Sequence, residues 1–389
     1  MNGYKIVLLK AILCFIGCRK VNGYAPEYVI MGKEYVDTIC VGLGYFSNKI
    51  GYQSDVYAKN EETIKYLVGD VSGNSQKFID KYNANAQIVS GRIARIKTFI
   101  STLCKVKSKN VELYCSGRMA IYYAVVAKLF RRNLIVILRG QEFSQGKLQL
   151  YLIKQVLKLA DLVIAKEYNL MEDARKCNLD DKLCFVHNAI PYHNQNLLSY
   201  DEKDIDIIFM NTPRKKRHVL FLLEVFKRLL YEMPTLKITL AGFGILNEKK
   251  ILIEPAYQEE VLEKIRELGL EDKITILGFV PNGEELLRRS KIFVFPAEIV
   301  FCNYALLESM SYGCVPVVAD GEGADMVVNQ NINGMICCRD IELFKESILQ
   351  CLDRQRWDCL SPKAVETILK RFSIDEWYDK IRKAKSSIL

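Results

Sequence analysis

The alternation of short apolar runs with amphipathic stretches constrains this chain more than any other feature. In the second half, "DIIFM" (206–210) reads as a buried strand, and Leu220, Leu223, Phe226 and Leu230 recur at helical spacing over about 217–232. Pro234 marks the end of that helix, and "LKITLAGFG" is a strand running into a Gly242-Phe243-Gly244 turn. A helix over about 256–268 stops at Gly269 and "KITILGFV" follows as a strand, then "GEELLRRS" as a short helix and "KIFVFPA" as a strand. A helix over 303–312, the strand "VPVVAD" and the helices "ELFKESILQCL" and "IDEWYDKIRKAKSS" complete the series. Strands that alternate with helices imply a parallel sheet covered on both faces.

The first half repeats the pattern less sharply, with "DTICVGLGYF", "VELYCSG", "NLIVILRG", "ADLVIAKE" and "KLCFVHNAIP" as strands or strand ends. Residues 192–205 are polar and aperiodic and are expected to link two domains. A chain of 389 residues is too long for one ordinary core. The expected architecture is α/β: two doubly wound, Rossmann-like domains, 1–195 and 196–370, with a cleft between them. The segment 371–389 is expected to be a helix packing back on the first domain. In such sheets ligands bind outside the carboxyl ends of the strands.

Composition narrows the chemistry. The 13 cysteines show no C-x-x-C pair and there are only three histidines, His187, His193 and His218, so neither a zinc site nor a disulfide framework is expected, and a reducing, cytoplasmic setting is. The N-terminal "YKIVLLKAILCFIGC" is interrupted by Lys10 and followed by Arg19-Lys20, which favours a buried element over a signal sequence. No apolar run reaches the ~20 residues of a membrane span. Residues 1–199 hold 28 Lys/Arg against 16 Asp/Glu, whereas residues 200–389 hold 27 against 30. The basic first half suits an anionic partner. Its segment 92–109 places Ile93, Ile96, Phe99, Ile100 and Leu103 on one helical face ringed by cations, which fits either a core helix or a helix on an anionic membrane surface. Nucleic acid is not expected, because no aromatic platform or basic recognition helix appears.

The stretch "EIVFCNYALLESMSYGCVPVVADGEGAD" (298–325) carries the most chemistry. Asn303 is a plausible N-cap, and the helix mouth behind it offers N–H groups and a dipole to a phosphate. Glu308 lies too far into that helix to cap it; a carboxylate there could accept from sugar or ribose hydroxyls, or could simply be solvated. Asp204-Ile205-Asp206 is a D-x-D pattern, but its place at the entry to a strand gives it little weight as a metal site.

From Pro296 through "LLESMSYGCVPVVA" to Asn333-Gly334, the chain resembles the nucleotide-sugar signature of retaining glycosyltransferases of the GT-B fold, family 4 type (group 1 glycosyl transferases). Leu307, Glu308, Met310, Gly313, Pro316, Val317, Val318 and Ala319 fall into its pattern, and "LRGQEF", "ADLVIAKEYNL" and "CFVHNAIP" resemble its landmarks in the first half. The resemblance implies a hexosyltransferase-type enzyme that takes a nucleotide diphosphate sugar as co-substrate, with no cofactor and no metal. It implies that Glu308 binds the ribose and that the N–H groups of Asn303, Tyr304 and Ala305 approach the diphosphate. Gly278, Phe279 and Val280 would flank the base, and Gly242 and Gly244 would allow close backbone approach.

The cations Arg214 to Arg217 fall where the family neutralises the departing diphosphate, with Arg217 in its lysine position and Arg214 substituting for its arginine. The chain also departs from the pattern. The family's first glutamate falls at Val300, so Glu298 is expected to reach the donor sugar instead. Its Gly-Phe-Gly is Phe301-Cys302-Asn303, and its histidine on the acceptor side is Arg139, with Glu142 retained. The expected reaction is sugar transfer to a lipid-linked or polysaccharide acceptor in surface polysaccharide synthesis, at the inner face of the cytoplasmic membrane. The alternatives are a non-catalytic assembly partner, favoured by Val300, and a nucleotide-sugar 2-epimerase.

Overall fold

A computed structural model describes residues 34–388 except 72, 115–116, 140–142, 144–145, 193–196 and 247–252. The N-terminal apolar stretch and Glu142 therefore lie outside the described residues. The chain forms two units, one running to His187 and resuming at Tyr378, the other spanning Asn188–Trp377.

The main sheet of the first unit has seven parallel strands among the described residues: β1 (Thr38–Leu43), β2 (Ile64–Val68), β3 (Ala86–Ile88), β4 (Asn110–Leu113), β5 (Asn133–Leu138), β6 (Leu162–Ala165) and β7 (Leu183–Phe185). Their order is β3-β2-β1-β4-β5-β6-β7. Every residue of β4 is buried, as expected of a central strand with helices on both faces.

The second unit holds β8 (Ile205–Met210), β9 (Ile238–Ala241), β10 (Ile274–Leu277), β11 (Ser290–Phe295), β12 (Val315–Ala319) and β13 (Met335–Cys337), all parallel. Their order, β10-β9-β8-β11-β12-β13, is the 3-2-1-4-5-6 order of dinucleotide-binding sheets. The chain runs outward from β8 to β9 and β10 and then crosses back to lay β11 on the other side of β8, which opens a crevice at the carboxyl ends of β8 and β11. The aromatic core of this unit includes Phe209, Phe226, Phe243, Phe293 and Phe295, each almost fully buried.

Several elements differ from their expected bounds. The helix after β8 starts at Val219 because Lys215–Arg217 form a turn of 3-10 helix and His218 after them is left-handed. The expected strand "KITILGFV" is only Ile274–Leu277, since it is an edge strand that turns away at Gly278. Residues read as linker are instead fastened to the second unit. The Tyr200 hydroxyl donates to the Leu352 carbonyl at 2.5 Å, and buried Lys203 donates to the carbonyls of Arg288 and Tyr312 at 2.8 and 3.0 Å. Sequence reasoning missed the helix Arg354–Arg371, which carries Pro362 in its interior.

The last helix, Ile374–Ser386, supplies the first unit with a buried cation. Lys385 Nζ lies 3.0 Å from Glu112 Oε1 and 3.7 Å from Glu62 Oε2, and it donates to the Tyr57 hydroxyl at 3.2 Å. Glu112, on β4, also accepts from the Tyr114 hydroxyl at 2.7 Å and from Cys40 Sγ at 3.5 Å. Burial alone would raise the Glu112 carboxyl, but Lys385 and the bonds from Tyr114 and Cys40 outweigh it and hold the carboxyl below its ordinary range. Burial would lower the Lys385 ammonium, yet Glu112 and Glu62 raise it.

A depressed carboxyl contributes stability above its unfolded pKa and loses it as pH falls through the folded value. A raised ammonium contributes below its unfolded pKa and loses it as pH rises through the folded value. The pair therefore stabilises the first unit across the neutral range. Lys385→Met should cost about 3–5 kcal/mol at pH 7, because it strands a buried carboxylate. In that variant burial raises the Glu112 carboxyl, so the deficit should shrink as pH falls toward 4. Denaturant midpoints of both proteins at pH 4 and 7 measure this, and an equal deficit at both pH values contradicts it.

Candidate active site

The loops leaving β8 and β11 meet at the switch point of the second sheet. After β8, Asn211 N–H still pairs with the Ala241 carbonyl at 3.0 Å, so the chain turns only at Thr212-Pro213. A 3-10 turn, Lys215–Arg217, follows, and His218 enters the next helix in the left-handed region at φ +48°. The loop after β11 is tied to this turn by a backbone bond from Glu298 N–H to the Lys216 carbonyl at 3.0 Å. A second tie joins Asn211 Nδ2 to Asn303 Oδ1 at 3.2 Å. The turn after β9 passes so close beneath that a Cβ on Gly242 would lie 2.6 Å from the Asn211 carbonyl. Gly242 also sits at φ +110°, and both features require glycine.

The β8 loop carries two partly buried arginines. Arg217 Nη1 donates to the Thr212 carbonyl at 2.5 Å, and Arg214 Nε is buried without a hydrogen bond. Among the described residues no carboxylate forms an ion pair with either arginine. Burial first, and the neighbouring Arg214 second, push the Arg217 guanidinium down to about 10. It remains charged at neutral pH, as a cation largely removed from water, with Glu254 acting on it only from beyond ion-pair distance. An anion at this spot would relieve that cost.

Asn303 is the N-cap of the helix Tyr304–Ser311, accepting from the N–H groups of Ala305 and Leu306 at 3.0 and 3.3 Å. Asn303 N–H in turn reaches the Val300 carbonyl at 3.3 Å. Two of the three amides expected to meet a diphosphate, those of Asn303 and Ala305, thus have intramolecular acceptors. Glu308 lies in the second turn of this helix and is partly exposed.

The preceding loop is pinned to the loop after β12. Val300 and Phe301 donate backbone N–H bonds to the Glu322 carbonyl at 3.0 and 3.1 Å, and Glu322 N–H donates to the Glu298 carbonyl at 2.7 Å. This pairing turns Val300 fully inward, at 0% exposure. Glu298 is left outside, its side chain 43% exposed, with Oε2 3.6 Å from Lys216 Nζ and Oε1 3.3 Å from His218 Nε2.

At the carboxyl ends of β9 and β10 lie Gly244, which opens a short 3-10 turn, and Gly278, Phe279 and Val280, of which Phe279 is 44% exposed. In the first unit Arg139 follows β5, exposed, with its guanidinium carbon 5.8 Å from the centroid of the Tyr114 ring. Asp204 and Asp206 sit at the opposite, amino edge of β8. Asp204 pairs with Arg289, accepting from Nε at 2.7 Å, and Asp206 pairs with Lys291 at 2.8 Å. Both carboxylates there bind structural cations. Sequence reasoning missed His218 and Asn211, because neither stands in a motif and the crossing of the loops sets their roles.

The family model for glycosyl transferases group 1 matches residues 193–364. The chain is 26% identical over 175 residues to N-acetylgalactosamine-N,N'-diacetylbacillosaminyl-diphospho-undecaprenol 4-alpha-N-acetylgalactosaminyltransferase of Campylobacter jejuni, covering 44% of each chain. It is 27% identical over 146 residues to the capsular polysaccharide biosynthesis glycosyltransferase CapH of Staphylococcus aureus, covering 37% of this chain and 38% of CapH. The matches therefore span less than half the length of these relatives. Among solved structures, Anabaena HepE in complex with UDP and glucose superposes with a TM-score of 0.73 at 16% identity, covering 91% of this chain and 100% of HepE. The chain has the GT-B fold, and its residues 193–364 are similar to the glycosyl transferases of group 1.

Proposed function

We propose that this chain is a retaining glycosyltransferase that moves a sugar from a nucleotide diphosphate sugar to a lipid-linked or polysaccharide acceptor in surface polysaccharide synthesis. One observation carries the reading: Arg214 and Arg217 are held partly out of water, with no carboxylate at ion-pair distance among the described residues, where a doubly wound sheet binds its ligand. Breaking the bond between sugar and phosphate builds negative charge on the departing diphosphate and an oxocarbenium-like sugar. Two fixed cations stabilise that charge more as it develops than before it forms. The departing phosphate takes the proton of the acceptor hydroxyl on the same face, so the step calls for no protein base.

In this reading Glu308 holds the ribose, Glu298 touches the donor sugar, and Gly278, Phe279 and Val280 flank the base. Gly242 and Gly244 give the backbone room, and the helix mouth at Asn303, Tyr304 and Ala305 faces the diphosphate. Arg139 and Glu142 belong to the acceptor side. UDP and glucose in HepE and the undecaprenol-linked acceptor named for the Campylobacter enzyme support this choice of donor and acceptor classes. Among the described residues no helix is long and apolar enough to cross a membrane. The helix Arg92–Lys105 exposes Ile93 at 62% beside Arg92, a combination suited to docking on an anionic inner leaflet. The inward Val300 favours a second reading, in which the chain binds donor as a non-catalytic assembly partner.

Incubation of the full chain with a panel of nucleotide sugars and polyprenyl-diphosphate glycans should release free nucleotide with at least one donor. Binding without turnover on every acceptor selects the second reading, and no binding by any donor defeats both. Arg217→Ala should lower turnover by roughly 10²-fold or more, the scale seen when one preorganised charge-stabilising group is removed. Glu308→Ala should weaken nucleotide affinity about tenfold, an amount typical of one lost hydrogen bond to a charged group. The melting temperature of the variant reports any loss of fold separately, and unaltered nucleotide affinity removes Glu308 from the site.

A further inference from the structure

His218 stands apart from the other residues at the mouth. It is a non-glycine residue in the left-handed region, φ +48° and ψ 44°, at the junction of the cationic turn and the following helix. Glycine would occupy that conformation without strain, so a side chain kept there calls for a reason. The imidazole is one-third exposed, but its Nε2 atom is buried and makes no aligned hydrogen bond. That atom lies 3.3 Å from Oε1 of Glu298, while Lys216 Nζ stands 3.6 Å from Oε2. The Glu298 backbone is fixed from both sides, by its N–H to Lys216 and by its carbonyl to Glu322 N–H. The carboxylate is thus the mobile part of a clamped residue, and His218 and Lys216 are the groups within reach of its two oxygens.

We infer that His218 is a positioning residue for donor-sugar recognition: its imidazole orients Glu298 so that the carboxylate meets a hydroxyl of the sugar. This rests on the reading of the second unit as a nucleotide-sugar site. Because Nε2 is buried and stands 3.3 Å from the Glu298 carboxylate, its effect is expected to pass through that carboxylate and not through the diphosphate. Removal of the imidazole should therefore weaken the hold on the sugar and leave the hold on the nucleotide alone. A misplaced carboxylate at fixed backbone is enough to lose a directional hydrogen bond.

The test compares affinities of the full chain for UDP and GDP with those for UDP-glucose, UDP-N-acetylglucosamine, UDP-N-acetylgalactosamine and GDP-mannose, by calorimetry. The variants are His218→Gly, which suits the backbone and should melt no lower than the parent, His218→Gln, which restores a donor near the Nε2 position, and Glu298→Gln. His218→Gly should lose about tenfold in affinity for the preferred nucleotide sugar, with nucleotide affinity unchanged within about twofold, the scale of one polar contact. His218→Gln should recover most of that loss, and His218→Gly should cost little more when Glu298→Gln is already present. Equal losses for nucleotide and nucleotide sugar, no loss for either, or additive effects of the two substitutions overturn the role of His218. If the parent chain binds neither the nucleotides nor their sugars, the donor-site reading itself falls, which is a distinguishable result.

Discussion

Two arginines held partly out of water, with no carboxylate at ion-pair distance among the described residues, set the terms for the mouth of the second sheet. Protein interiors do not usually hold such a charge unmatched. Here the cost is borne by a rigid surround: Arg217 leans on the Thr212 carbonyl, Asn211 is tied to Asn303, and Glu298 is tied through its backbone to Lys216. The first tie lies within the loop after β8, and the other two join that loop to the one after β11, which holds together the loops that define the crevice. The parallel sheet makes this possible, since it delivers several loop starts side by side at one edge.

The same crossing of loops explains the fate of Val300. Backbone bonds from Val300 and Phe301 to Glu322 turn the valine into the interior and leave Glu298 as the acidic side chain outside. Val300 has no exposure to solvent, so a charged side chain in its place would lose its hydration. The valine is thus matched to the local backbone arrangement. Gly321 completes it, because a Cβ there would lie 2.4 Å from the Ala297 carbonyl.

How much of this could be read from the sequence depended on whether a feature was local. The strands of the second unit were legible because each is a short apolar run followed by a helical repeat, as in "DIIFM" before Leu220, Leu223 and Phe226. The N-cap at Asn303 was legible for the same reason. The helix through Pro362 was not, because proline weighs against a helix locally and only tertiary packing overrides it. Lys203 read as part of a linker, although it is buried against two carbonyls far away in sequence. The roles of His218 and Asn211 depend on the distance between two loops separated by three strands, which no spacing in one sequence reveals.

The bond between Lys385 and Glu112 has a bearing on synthesis. The lysine that neutralises the centre of the first sheet also donates to Tyr57, 328 residues earlier in the chain. Translation delivers ~5–20 residues per second, so the nascent first unit waits roughly tens of seconds with an acid at its heart and no counter-ion. Through that interval its most stable course is to leave the central strand hydrated or to keep Glu112 protonated. The N-terminal half is thus the first part made and the last to acquire its final form, and its maturation is timed by the arrival of the C-terminal helix.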